Sequence, residues 1–179
     1  METTIKYQWH ALENKRVKLM SDLSKYNHAV LNKKPTPEAW STLQVMQHLM
    51  TAELASLTYM KKKLSYGVNI PKAGFKSKLR RLALKIVFVL PFKYKAPAQL
   101  ETFPEGVDFE ALKIEWASQR LDLQDFIDKL PDNVIVSEIW RHQIFGKMNI
   151  SQMIDFFEAH FDRHQKQIEK TLNIVIELS

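Results

Sequence analysis

A chain of 179 residues is long enough to bury a real core as a single domain over 1–179, and too short for several domains. Gly occurs 4 times, apolar residues make up 45%, and cysteine is absent, which excludes a disulfide scaffold, a thiolate metal site, a cysteine nucleophile and a Gly-rich β fold. The net charge of +6 is local: residues 54–100 hold eleven Lys and Arg, while all 20 Asp and Glu lie outside that interval, so no global nucleic-acid footprint is expected.

The N-terminus lacks the apolar segment of a signal peptide and no apolar run can span a bilayer, so a cytoplasmic location is expected. Four long helical patterns follow in order. The first runs from about Tyr7 to Leu31 on the stripe Leu12, Leu19, Leu23, Tyr26 and Val30, and Pro35 and Pro37 end it. The second starts at Ser41, where Ser41 and Gln44 make a capping box and Trp40 can staple onto Val45. It ends near Ser65, before Gly67 and Pro71.

The link from Tyr66 to Val107 is long enough to cross the end of a bundle. Within it, Lys76 to Leu90 is helix-like, with Leu79, Leu82 or Ala83, Ile86 and Leu90 apolar between cations. Its apolar face is expected to pack over the bundle with the charges in water, so membrane-surface contact is not expected. The alternatives are an interfacial helix on anionic lipid, or steering of an anionic substrate. The third helix runs from the N-cap Asp108 to Leu130, with Leu112, Trp116, Leu123, Phe126 and Leu130 inward, and Pro131 stops it. A loop over Val134–Lys147 carries His142 and reaches Gly146. The fourth helix starts at Asn149, boxed with Gln152, and runs to about Leu172; the tail either extends it or leaves it.

Three histidines fall where buried apolar residues belong. Met153, Phe157, His160, His164 and Ile168 form one stripe of the fourth helix, and the i, i+4 spacing stacks His160 and His164 on one face. On the second helix His48 shares a stripe with Val45, Ala52, Ala55 and Tyr59. A lone inward histidine is ordinarily a core residue with one hydrogen-bond partner. Two adjacent buried imidazoles are costly without a shared partner, and three pointing into one core suggest a metal site.

The segments Pro37-Glu38-x-Trp40-Ser41-x-x-Gln44-Val45-x-x-His48-Leu49-x-x-x-Glu53 and His142-x-x-Phe145-Gly146-x-x-Asn149-x-x-Gln152-x-x-x-Phe156-x-x-x-His160-x-x-x-His164 resemble the DinB-like superfamily, most nearly its YfiT-like group of metal-dependent hydrolases. The resemblance spans the chain from first helix to last. It implies an all-α, up-down-down-up four-helix bundle, often dimeric, with one divalent metal on His48, His160 and His164. Gln143 departs from the proline that relatives often carry there. Three neutral imidazoles fill three tetrahedral positions and leave a fourth open, as in catalytic zinc sites; nickel, iron or manganese also suit imidazole. The resemblance further implies an enzyme joining a low-molecular-weight thiol of the bacillithiol type to a small electrophile. The alternatives are a hydrolase that uses metal-activated water and a non-catalytic metal-binding stress-response protein.

Secondary candidates carry bland alternatives. His142 is a candidate acid/base or substrate contact near the metal, or a loop residue capping the fourth helix. Arg16 and Arg120 either face the cavity to bind a carboxylate or snorkel out of the bundle, the favoured expectation. Glu53 is badly placed to ligate with His48 but can stand behind the ligands. Trp40 is read as a staple rather than a substrate wall, and His10 and His28 as surface residues.

Overall fold

The structure is a computed structural model describing residues 2–67, 70–89 and 103–178, with side chains at all of these but 2, 78 and 84–89. The elements are α1 (Glu2–Leu23), α2 (His28–Asn32), α3 (Thr42–Ser65), α4 (Phe75–Val89), α5 (Phe109–Asp128), α6 (Asp132–Ile135), β1 (Trp140–His142), β2 (Gly146–Met148) and α7 (Ile150–Glu177). The chain is mostly helical, and β1 and β2 form one small antiparallel hairpin that pairs Trp140 with Met148.

Side-chain pairs give the direction of each long helix. Gln8 donates to Asp155 at 2.7 Å and Lys15 to Asp162 at 2.7 Å, so numbers rise together and α1 and α7 are parallel. Trp9 donates to Gln124 at 3.2 Å while Glu13 meets Arg120 at 3.4 Å, so α5 runs against α1. His48 meets His160 at 3.2 Å, whereas Lys63, at the far end of α3, donates to the carbonyl of Glu138 just upstream of the hairpin and α7. Hence α3 opposes α7, and the four long helices run up, down, down, up. The link of more than forty residues between the second and third is long enough to let them run parallel. Leu12, Leu43, Met46, Leu123, Phe157 and Phe161 lie fully buried between the helices.

Both expected capping boxes form. The Ser41 hydroxyl accepts from the Gln44 amide at 3.2 Å, and the Asn149 side chain accepts from the Gln152 amide at 3.0 Å. Three expectations need correction. The first helix ends at Leu23, and α2 starts anew because the Asn27 side chain accepts from the Val30 amide at 2.9 Å and caps it. The loop over Val134–Lys147 is short helix and hairpin, turned at Gly146 with φ 80°, where a residue with a Cβ is strained. On α3, Ala55 and Tyr59 are exposed, and the buried face continues instead through Leu49, Glu53, Leu57 and Met60. The open alternative at the tail resolves to helix as far as Glu177, anchored by buried Val175.

Helix α4 confirms the helical pattern but inverts the expected orientation over residues 75–83. Buried Ser77 bonds to Gln152 on the first turn of α7, Arg81 pairs with Asp155, and Arg80 pairs with Glu138 at 3.2 Å and donates to the carbonyl of Lys147 at 2.8 Å. Phe75, Leu79 and Leu82 face outward. The physical reason is that the start of α7 and the hairpin offer polar and acidic partners, which the polar side of α4 matches. The Leu90–Lys95 part of that pattern lies outside the described residues.

Candidate metal centre

The capping box at Ser41 sets the register of α3, and His48 comes two turns later with its ring buried at 4% exposure. From α7, His160 and His164 project one turn apart, and both residues are largely buried. The His160 Nε2 lies 3.2 Å from His48 Nε2 and 3.0 Å from His164 Nε2. One ligand atom from each ring falls within 4.8 Å of the others. Nitrogens bound to a tetrahedral ion at about 2.0–2.1 Å stand about 3.3 Å from one another, so the two spacings to His160 Nε2 match those of a shared cation.

Protonation points the same way. The His164 Nδ1 lies 2.8 Å from the Gln167 amide oxygen, which accepts and cannot donate, so Nδ1 carries the proton and Nε2 keeps its lone pair. Burial lowers His164 to about 4, with the His48 imidazole adding to the effect. Burial holds His160 well below the ordinary imidazole value, followed by its neighbours His164, His48 and His142. Near neutral pH these two rings are therefore uncharged, the form that ligates.

The rim is aromatic. The Trp40 ring packs on His48 at 5.0 Å between centroids and meets Phe103 edge-on at 5.2 Å. Phe156 stacks on His160 at 5.2 Å. Gln44 donates to the carbonyl of Pro104 at 3.2 Å, which ties the segment after Phe103 to the start of α3. Trp40 thus borders the site, contrary to its expected role as a staple alone.

His142 ends β1 and stands behind Phe156, 4.7 Å from that ring, outside the three-histidine cluster. Its Nδ1 accepts from the amides of Ile144 and Phe145 at 3.1 and 3.2 Å, so it caps the hairpin turn and not helix α7. Burial lowers it to about 4. His10 is exposed, and exposed His28 bonds to the carbonyl of Val107 at 3.1 Å.

The snorkelling expectation fails for both arginines. Arg120 is 2% exposed and grips Glu53 with two bonds of 2.6 Å, while Trp116 donates to the same carboxylate at 2.9 Å. Trp9 and Trp116 lie against the guanidinium at 5.2 and 5.7 Å. Arg16 is likewise buried and pairs with Glu13. Neither arginine is free for a substrate carboxylate. Glu53 is part of this buried pair. Sequence reasoning missed the pairing because partners on different helices leave no spacing signal; Gln167, three residues after His164, was findable.

The lowered imidazoles make stability depend on acid. Between pH 6.5 and about 4 the unfolded chain binds protons that buried His142 and His164 do not, so stability rises with pH across that window. The thermal midpoint of metal-free protein should fall as pH drops from 6.5 toward 4; a flat midpoint across that range would contradict the buried neutral rings.

A family model described as the DinB superfamily matches residues 8–168, an interval that contains all three histidines. The chain is also similar to an uncharacterized protein, YuaE, of Bacillus subtilis (strain 168), at 24% identity over 155 residues that cover 87% of this chain and 91% of that protein. No solved structure matches.

Proposed function

Since the chain belongs to the DinB superfamily, we propose that it is a divalent-metal-dependent enzyme that transfers a low-molecular-weight thiol of the bacillithiol type to a small electrophile. The observation that supports this reading is the convergence of three imidazole nitrogens from two helices. A divalent ion held by His48, His160 and His164, with zinc the first choice, supplies a Lewis acid that acidifies a thiol or water at neutral pH.

The chain's own residues then do the rest. Having no cysteine, the protein supplies no thiol, so the thiol is a cosubstrate. Trp40, Phe103 and Phe156 form an apolar, flat-sided rim suited to an uncharged electrophile, and they keep bulk water from the inner rings. His142, whose Nδ1 is committed to the hairpin amides, keeps its proton on Nε2 and offers a donor to substrate or leaving group from behind Phe156.

The test is turnover of zinc- or nickel-loaded protein on a panel of alkyl halides, epoxides and esters, with and without added thiol. Thioether formation that requires both metal and thiol is the expected result. Electrophile or ester hydrolysis at an unchanged rate without thiol would replace the transferase with the hydrolase. A loaded protein inert on the whole panel would favour a binding protein.

A further inference from the structure

Sequence pattern and packing disagree at α4. Phe75, Leu79 and Leu82, spaced four and three residues apart, form one stripe and are 80%, 59% and 55% exposed. At helical spacing, positions 78 and 85, both lysine, border that stripe on one side and Lys76 borders it on the other. The inner side is held by Ser77 with Gln152, Arg80 with Glu138 and Arg81 with Asp155. The helix is therefore anchored by polar pairs, and its apolar stripe is not what docks it to the bundle. Contiguous apolar surface left in water in this way marks a contact site.

We propose that this face of α4 is a docking surface for an anionic lipid membrane. Phe75, Leu79 and Leu82 enter the boundary between headgroups and acyl chains, and the flanking lysines meet the phosphate-bearing headgroups. Charge decides the occupant. A second copy of the same face would set lysine against lysine, because residues 54–100 contain no acid to alternate with them. An anionic headgroup layer complements those cations and also admits the apolar stripe. The contact is peripheral, since among the described residues no helix is long and apolar enough to cross a membrane.

The absence of cysteine makes a clean test, because Leu79→Cys creates a unique thiol for an environment-sensitive fluorophore. In solution the label should be open to an aqueous quencher. Phosphatidylcholine vesicles with about one-third phosphatidylglycerol should shift its emission to the blue and shield it, and unlabelled wild-type protein should co-sediment with them at low salt. Salt at about 0.5 M should release it. Lys76→Gln and Lys78→Gln should each weaken binding roughly fivefold, and Leu82→Ser should weaken it as well. The proposal falls if wild-type protein stays in the supernatant at low salt, or binds phosphatidylcholine alone equally well. It also falls if the label is shielded before vesicles are added. Shielding that grows with protein concentration would assign the face to a second copy, and shielding independent of concentration to the chain's own segment 90–102.

Discussion

Replacing His160 with Ala should abolish the metal retention proposed for the three-histidine cluster. His160 is the central ring of the three, with its Nε2 at 3.2 and 3.0 Å from the other two, so its loss leaves His48 and His164 without the nitrogen that both approach. Two imidazoles across a gap hold an ion far less firmly than three that converge. Removing a hydrogen bond behind a ligand already lowers affinity about 10–100-fold. Losing the central ligand should exceed that, and elemental analysis should find metal near background. Gln167→Leu makes the graded comparison. It leaves all three ligands but frees the His164 Nδ1, so retention should fall by about 10–100-fold while the fold stays intact. Competition with a chromogenic chelator measures both. If His160→Ala protein carried as much metal as wild type, the site would lie elsewhere.

The second large effect is on stability. Glu53→Ala should lower the unfolding free energy by about 3–5 kcal/mol, because it leaves a guanidinium that is 2% exposed without its bidentate partner. Trp116 loses its acceptor at the same time. Glu13 stands 3.4 Å from the same guanidinium but already serves Arg16, so it offsets only part of the loss. For a domain of this size each kcal/mol moves the thermal midpoint by about 2–4 °C, giving a shift on the order of 10 °C. The double change Glu53→Met with Arg120→Leu removes both charges and should recover most of the loss, since apolar replacements of a buried pair are often tolerated. Urea unfolding of metal-free proteins compares the three. A loss below about 1 kcal/mol in Glu53→Ala would show that the pair does not carry the packing of α3 on α5.

The parts of this molecule legible in one dimension are those governed by local spacing. The boxes at Ser41 and Asn149 and the i, i+4 pair of His160 and His164 each depend on residues within one turn, and all appear in the fold. His48 and its stripe neighbour Val45 are both buried, although the same stripe continued through Ala55 and Tyr59 drifts off the buried face. That drift has a cause. Glu53 occupies a core position, and a pattern that counts polarity treats a carboxylate as outward until its partner is known. Arg120 supplies that partner from a helix with no sequence register to α3. The same blindness reversed α4, whose Ser77, Arg80 and Arg81 face inward only because Gln152, Glu138 and Asp155 wait for them.

His48 and His160 stand 112 residues apart in the chain, on the second and the last of the long helices. An ion shared between them would be a clasp that closes nearly two-thirds of the chain into one loop. The conformational freedom it denies the unfolded chain grows slowly with loop length, so a clasp of this span contributes close to the largest entropic gain the chain allows. No shorter stretch of the chain can assemble it, because the helix pair that forms it meets only after α7 has been made and docked. Competence to hold the ion therefore arrives last, as a certificate that the whole bundle is in place.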